Sequence, residues 1–358
     1  MNMFGRCLRL STFGESHGVL IGGVLEGVPA GLKIDLSALQ AEVNRRKSTN
    51  AYTTPRREED MVEVVSGVFE GVSTGAPIGL LIYNRNVKSK DYSSIKEAFR
   101  PGHADFTTWA KYGVRDYRGG GRTSARESVA RVAGGAIAKM LLKELDIQVF
   151  SGVFSVAGIE AQKIDFSHAK TSPIFSLDKD IEPVQQEAIL KAKTLGDSVG
   201  GVVLVQASGA HLLGLGEPLY DKLDARLGSV FMGLNGVKGV FIGDPSVAHL
   251  NGSAYNDPLN PTGFASNHAG GVLGGIGSGA DLIVWVHFKP TASIAKTQNT
   301  INAANEPISL ELKGRHDPCI ALRGSVVCES LLALVVADFA LLNMPTKLSS
   351  VQAFYRQR

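Results

Sequence analysis

The alternation of apolar and polar residues divides this chain into short strands and a few helices. Val129, Val132, Ala133, Ala136, Ile137 and Met140 recur at the three- and four-residue spacing of one helical face. Ser124 stands ahead of that run as an N-cap, and Glu127 follows at the capping-box distance. Asp35 caps a second helix to Arg46, with Leu36, Leu39 and Val43 on its apolar side. Val184 to Leu195 reads as an amphipathic helix, and another follows the Gly214–Pro218 turn to about Met232. Val326 to Leu342 is apolar almost all round, which predicts a helix buried in the core. Phe4 to Val28 reads as strand, loop and strand. Further strands are predicted at Met61–Phe69, Ile78–Tyr83, Ile147–Val156, Gly201–Gln206, Asn235–Ile242 and Leu282–Phe288. This mixture suits an α+β enzyme.

Between these elements lie stretches without a period. Ser48 to Glu59 carries Arg56 and Arg57 behind the basic helix end Arg45-Arg46-Lys47, and it reads as a mobile loop able to cover an anion. Arg85 to Phe99 reads as a polar connection. Residues 157–182 read as a surface insertion, and Pro245–Phe264 as a long loop. The expected organisation is one catalytic domain over residues 1–344 and a loose tail over 345–358.

Composition narrows the classes. Hydrophobic residues at 44% and charged ones at 20% fit a soluble globular protein, and a net charge of +3 is too small to indicate nucleic acid. Cys7, Cys319 and Cys328 lack metal-ligand spacing and leave an odd count, so reduced thiols in the cytoplasm are expected and no metal. The first residues show no secretory pattern, and no membrane span is expected. The 41 glycines exceed the average share of about 7%. They include the pairs Gly134-Gly135 and Gly270-Gly271, which point to close backbone approaches.

The chemistry gathers around Tyr117 to Lys139. Gly119, Gly120 and Gly121 lead into a helix N-terminus, and Arg118, Arg122, Arg126 and Arg131 crowd the same place. Free backbone N–H groups, the positive helix end and guanidinium forks all favour an anion. The pattern is neither a Walker loop nor a dinucleotide fingerprint, so it leaves the anion unnamed. His17 lies in the Gly14–Gly18 loop, where a lone histidine is more often structural. Flanking glycines favour a ligand. Arg100-Pro101-Gly102-His103-Ala104-Asp105 places His103 on a turn beside Arg100. Lys289 to Ser293 offers a lysine and hydroxyls, and Gly314 to Cys319 forms a compact polar cluster. Asp338, inside the apolar helix, is either ion-paired to hold that helix or a general base with a shifted pKa. Such a set suits acid–base chemistry on a phosphorylated or multiply carboxylated small molecule, elimination of phosphate being one option.

Four motifs, Gly14-Glu15-Ser16-His17-Gly18, Arg100 to Asp105, Arg118 to Glu127 and Arg315-His316-Asp317-Pro318-Cys319, together resemble the bacterial chorismate synthase family, over nearly the whole chain from Gly5 to about Leu342. The resemblance implies a β-α-β sandwich with helices packed between antiparallel sheets, and a homotetramer. It implies a lyase that converts 5-enolpyruvylshikimate 3-phosphate to chorismate and phosphate by 1,4-anti elimination, the last step of the shikimate pathway. Reduced FMN is required without net redox change. By motif, His17 matches the histidine near the leaving phosphate, and His103 the one that protonates reduced flavin. Asp338 matches the aspartate that works with the flavin N5 to remove the C6 proton. FMN contacts fall on Arg122, Thr123, Ser124, Asn235, Gly236, Gly274, Lys289, Pro290, Thr291, Ala292, Ser293 and Arg315. Arg46, Arg100 and Arg126 are implied substrate clamps, with Arg46 a contact to substrate or NADPH. Thr123 and Ala292 stand where the family commonly has serine, and Ala292 loses a hydroxyl there. With no dinucleotide fingerprint, a separate flavin reductase is the expected source of reduced cofactor, NADPH acting only indirectly. The competing reading is a flavin oxidoreductase that consumes NAD(P)H in step with product.

Overall fold

The structure is a computed structural model that describes residues 2–47, 50–53, 59–85, 95–312 and 316–356. Most of the loop expected at Ser48–Glu59, with Arg56 and Arg57, lies outside the described residues. So do residues 86–94 of the expected polar connection, and Gly314 and Arg315.

Two five-stranded sheets enclose a helical layer. The first comprises β1 (Met3–Phe4), β2 (Arg9–Gly14), β3 (Leu20–Glu26), β4 (Glu63–Val64) and β5 (Ile78–Tyr83), in the order β1-β2-β3-β5-β4. The second comprises β6 (Gln148–Val156), β7 (Ile159–Glu160), β8 (Gly201–Ser208), β9 (Val237–Ile242) and β10 (Leu282–Phe288), in the order β9-β10-β8-β6-β7. All these pairings are antiparallel. In β10, Leu282, Val284, Val286 and Phe288 are buried and alternate with half-buried residues, the period-two pattern of a strand with one face on the core. A single Asp35 Oδ1, accepting from Ala38 N at 2.9 Å, starts helix α1 (Leu36–Lys47).

Helix α2 (Asp105–Tyr112) stands at the edge of the core, while α3 (Ser128–Lys143) lies on the first sheet. Then follow α4 (Phe166–Thr171), α5 (Glu182–Thr194), α6 (Leu223–Met232) and the short α7 (Gly252–Tyr255). Helix α8 (Ala321–Asn343) lies on the second sheet and packs along α3, so the layers run sheet, helix, helix, sheet. By length and composition α8 is apolar enough to cross a membrane, but most of it is buried inside this fold, as expected of a core helix. The close α3–α8 approach depends on Gly135: a Cβ there would stand 2.4 Å from Ser330 Cβ and 2.7 Å from its Cα. Neither backbone can yield without moving a whole helix. Gly135→Ala is therefore expected to destabilise the chain by about 1–3 kcal/mol, read as a lower urea midpoint at an unchanged slope.

The core also carries a charged cluster. Glu329 on α8 accepts from Arg45 on α1 at 3.1 Å through both oxygens, from Lys139 on α3, and from Ser151 Oγ on β6 at 2.8 Å. Lys139 also reaches Glu42 at 2.6 Å. One acid thus joins three helices and a sheet. Cys319 and Cys328 are free and buried, and burial pushes the Cys319 thiol up to about 12.

One segment differs from expectation. Residues 157–182 are no simple surface insertion: Ile174 to Asp178 are buried, and Ala161, Phe166, Ala169 and Leu177 cover the outer face of the second sheet against Phe154, Ile283 and Trp285. Its apolar residues follow no single period because they come from a turn and a short helix, which hid them. The terminal segment forms a helix, α9 (Leu348–Arg356), which buries no residue.

Candidate active site

Three loops meet at the N-terminal end of α3. The backbone of Gly119, Gly120 and Gly121 takes positive φ values of 63°, 90° and 53°. A Cβ on Gly119 would fall 2.4 Å from His17 Cε1, and one on Gly120 would fall 3.0 Å from His103 Cε1. The glycine loop is therefore the spacer against which both candidate histidines pack, and no side chain fits between. Ser124 does cap, but it caps a single 3-10 turn at Ala125–Glu127, with α3 starting at Ser128. Glu127 does not complete the capping box. It turns to Arg131 at 2.8 Å and to Arg122 at 3.8 Å.

His103 is oriented by its own turn. Its Nδ1 lies 3.0 Å from Asp105 Oδ1 and 3.1 Å from Arg100 Nη2. Asp105 also accepts from Arg100 Nε at 2.7 Å and faces Arg115 at 3.3 Å. Burial would raise the Asp105 carboxyl, but the Arg100 and His103 hydrogen bonds and charges outweigh it and hold it well below the usual range. It is a fixed anion. With Nδ1–H donated to it, Nε2 is the free position of His103. His17 is buried, with Nδ1 3.0 Å from Ser16 Oγ. It sits behind Gly119, which itself lines the adjoining cleft.

That cleft has a volume of about 1630 Å³. Typical small-molecule pockets hold roughly 300–1,000 Å³, so this one has room for two ligands side by side. Arg46, Arg100, His103, Arg122, Thr123, Ser124, Arg126, Asn235, Gly236, Lys289, Thr291, Ala292 and Ser293 all line it. Local bonds hold them. Asn235 Nδ2 donates to Thr123 O at 2.8 Å, and Lys289 Nζ donates to Gly102 O. Thr291 Oγ1 donates to Asp317 O at 2.7 Å, and Arg122 Nη2 donates to Thr12 O at 2.9 Å. Burial and the nearby Lys238 lower the Lys289 ammonium from its ordinary value.

Other expected residues lie elsewhere. Pro290 is not among the lining residues; its ring packs toward Gly200. Gly274 sits on the Val272–Gly277 hairpin, whose Gly275 O accepts from Leu223 N at 2.8 Å, also off the cleft. Asp338 occupies the next turn of the α8 stripe that brings Ile320, Gly324, Val327, Leu331 and Leu334 to the cleft. It has no ion pair among the described residues. Its Oδ1 accepts from the backbone N–H groups of Arg6 (3.1 Å), Cys7 (2.7 Å) and Leu8 (2.9 Å), and its Oδ2 from Arg6 N at 3.0 Å. In place of the side-chain ion pair expected of a purely structural aspartate, a cage of backbone amides holds the carboxylate.

Sequence reasoning missed several residues. Asp60, buried in the cleft wall, joins Arg46 Nη2 at 2.8 Å and Arg126 Nη1. Asn84 accepts from Arg126 Nε at 3.0 Å and donates to Glu15 O and Gly18 O at 2.9 Å each, tying that arginine to the His17 loop. His316 and Arg323 also line the cleft. Burial and the charge of Arg100 push the His316 imidazole down, so it is neutral near pH 7. The motif at Arg315–Cys319 signalled His316, whereas nothing near Asp60 or Asn84 in the chain marks their long-range pairings.

The site has an unmet demand for an acceptor. Arg46 Nε, Arg122 Nη1 and Arg323 Nε are buried without a hydrogen-bond partner among the described residues, as is His316 Nε2, a donor or an acceptor according to tautomer. Buried donors of this kind are costly unless a ligand satisfies them. A bulky anionic or heteroaromatic group with many acceptors fits that lining.

The family model described as chorismate synthase matches residues 8–341. A chorismate synthase of Sulfurimonas denitrificans is 56% identical over 359 residues, covering 100% of each chain. One of Helicobacter pylori is 55% identical over 364 residues, again covering 100% of each. A solved structure titled "Crystal Structure of Chorismate Synthase" superposes with a TM-score of 0.77 at 28% identity, covering 99% of this chain and 98% of the other.

Proposed function

The chain belongs to the chorismate synthase family of carbon–oxygen lyases acting on phosphates, and from that premise we propose how its own residues carry the reaction. The substrate is 5-enolpyruvylshikimate 3-phosphate. Its C6 hydrogen leaves as a proton and the C–H electron pair forms C1=C6, the ring C1=C2 π bond shifts to C2=C3, and the C3–O bond breaks with its electron pair leaving on phosphate, with no net change of oxidation state. The observation that carries this reading is the single cleft in which His103 and the arginines Arg46, Arg100, Arg122 and Arg126 gather, with buried guanidinium nitrogens awaiting an acceptor.

Arg46 and Arg126 bind the phosphate and carboxylates, and Arg100 closes the same wall. Arg122, Thr123, Ser124, Asn235, Gly236, Lys289, Thr291 and Ser293 would hold FMN; Ala292 contributes backbone only. Arg315 lies outside the described residues, and Gly274 and Pro290 have no support from this chain's own cleft. When bound, reduced FMN supplies electron density that eases loss of the leaving group. His103 offers Nε2 for proton transfer, its ring oriented by the Asp105 anion at Nδ1. His17, fixed through Nδ1 by Ser16 and packed behind Gly119 without lining the cleft itself, would act on the leaving phosphate across the glycine loop. Asp338 takes the C6 proton at Oδ2, the oxygen that accepts one amide where Oδ1 accepts three. A homotetramer in the cytoplasm, supplied with reduced flavin by a separate reductase, completes the proposal.

His17→Ala is expected to keep its fold and to slow phosphate release in a single turnover by about 10²–10⁴-fold. A variant that releases phosphate at the native rate would return His17 to a packing role. The oxidoreductase reading is tested by supplying chemically reduced FMN without NAD(P)H: many turnovers per flavin are expected, whereas one product per flavin would favour a redox enzyme.

A further inference from the structure

We propose that Asp60 is a positioning residue that presets the anion subsite by holding Arg46 and Arg126 at a fixed separation. The inference rests on the reading of the cleft as a phosphate-ester site. Arg46, Arg126 and Arg323 all line the cleft, and Arg46 feels the repulsion of the other two. Three guanidinium groups packed so closely would turn away from one another or draw in a counter-ion. Asp60 is 2% exposed, and it engages one arginine with each oxygen: Oδ2 with Arg46 Nη2 at 2.8 Å, Oδ1 with Arg126 Nη1.

The chain spends conformational freedom to put the carboxylate there. Asp60 has φ of 46°, in the left-handed region that side-chain-bearing residues avoid. Gln40 on α1 holds the backbone that leaves it, donating to Asp60 O at 3.0 Å and accepting from Val62 N at 3.0 Å. Arg126 is fixed a second time by Asn84 at Nε. Arg46 Nε is left buried with no partner among the described residues, which makes it a donor reserved for the ligand. Arg323 is held apart by Asp317 at 3.2 Å.

A carboxylate inside an anion site should by itself repel the ligand. Placement and charge therefore predict opposite signs for its removal, and this makes the inference testable. In the flavin-free chain, titrated with inorganic phosphate by calorimetry, Asp60→Asn is expected to weaken binding by about 10–100-fold, although the site has become more positive. With the substrate, KM should rise by a similar factor while kcat stays within about 3-fold. Asp60→Glu restores the charge and should recover phosphate affinity to within about 3-fold of native. Equal or tighter phosphate binding by folded Asp60→Asn overturns the inference and leaves the function intact. A folded Asp60→Glu as weak as Asp60→Asn overturns it as well, because the residue then serves the backbone and not the arginines. If Asp60→Asn does not fold, the Asp60→Glu titration alone decides. Failure of the native chain to bind phosphate at all overturns both the inference and the reading on which it rests.

Discussion

Asp338→Asn is expected to lose about 10²–10⁴-fold in turnover while remaining folded and able to bind flavin. The substitution keeps the volume and leaves one carbonyl oxygen that can still accept from the Arg6–Leu8 amides. It removes the negative charge and turns an N–H₂ group toward the Arg6 N–H. Loss of that charge-assisted cage should cost about 1–3 kcal/mol, seen as a lower denaturation midpoint. The two roles of Asp338 separate on this point. If it only holds the turn from Arg6 to Leu8, activity falls in proportion to the folded fraction and recovers fully at low temperature. If Oδ2 also takes the substrate proton, activity stays low at temperatures where the variant is wholly folded. Gly5 and Arg6 line the cleft, so the turn that Asp338 holds is itself part of the site.

Glu329→Gln is expected to give the largest loss of stability, about 3–5 kcal/mol near neutral pH. Burial alone would raise the Glu329 carboxyl; the charges and hydrogen bonds of Lys139 and Arg45 outweigh it and bring it down from its ordinary 4.5 to about 2. The folded value lies below the unfolded one, so the acid's stabilisation is complete above pH 4.5 and disappears as pH falls toward 2. The variant leaves Arg45 and Lys139 with Glu42 as their remaining anionic partner and should also lose much of the acid-induced fall in stability across that window. Urea titrations of both proteins from pH 7 down to pH 2 measure this. A variant with native stability at pH 7, or an unchanged acid limb, would remove Glu329 from its place as the joint between α1, α3, α8 and the second sheet.

The parts of the site that were legible in the sequence are those written locally. Gly119 to Arg126 concentrates glycine, cap and arginines within a few residues, and Gly119 and residues Arg122 to Arg126 of that run line the cleft. The buried helix at Val326–Leu342 was legible because no polar face interrupts it. The pattern could not say which partner a buried acid takes. Asp338 looked like a base or an ion pair and is caged by amides from a turn 330 residues away at Leu8. Asp60, between the loop read at Ser48–Glu59 and the strand read at Met61–Phe69, carried no signal and pairs with two arginines. The segment at 157–182 lacked periodicity because its buried residues are split between a turn and a six-residue helix. Gly274 and Pro290 matched family positions, yet neither reaches this chain's cleft.

The central claim is a lyase reaction without net redox change. It is tested by mixing the purified chain anaerobically with photoreduced FMN and 5-enolpyruvylshikimate 3-phosphate, and following chorismate absorbance, released phosphate and the flavin spectrum together. The account predicts equal amounts of chorismate and phosphate, far exceeding the flavin, with the flavin still reduced at the end. Flavin oxidised in step with product, or flavin bound tightly with no product formed, would contradict it.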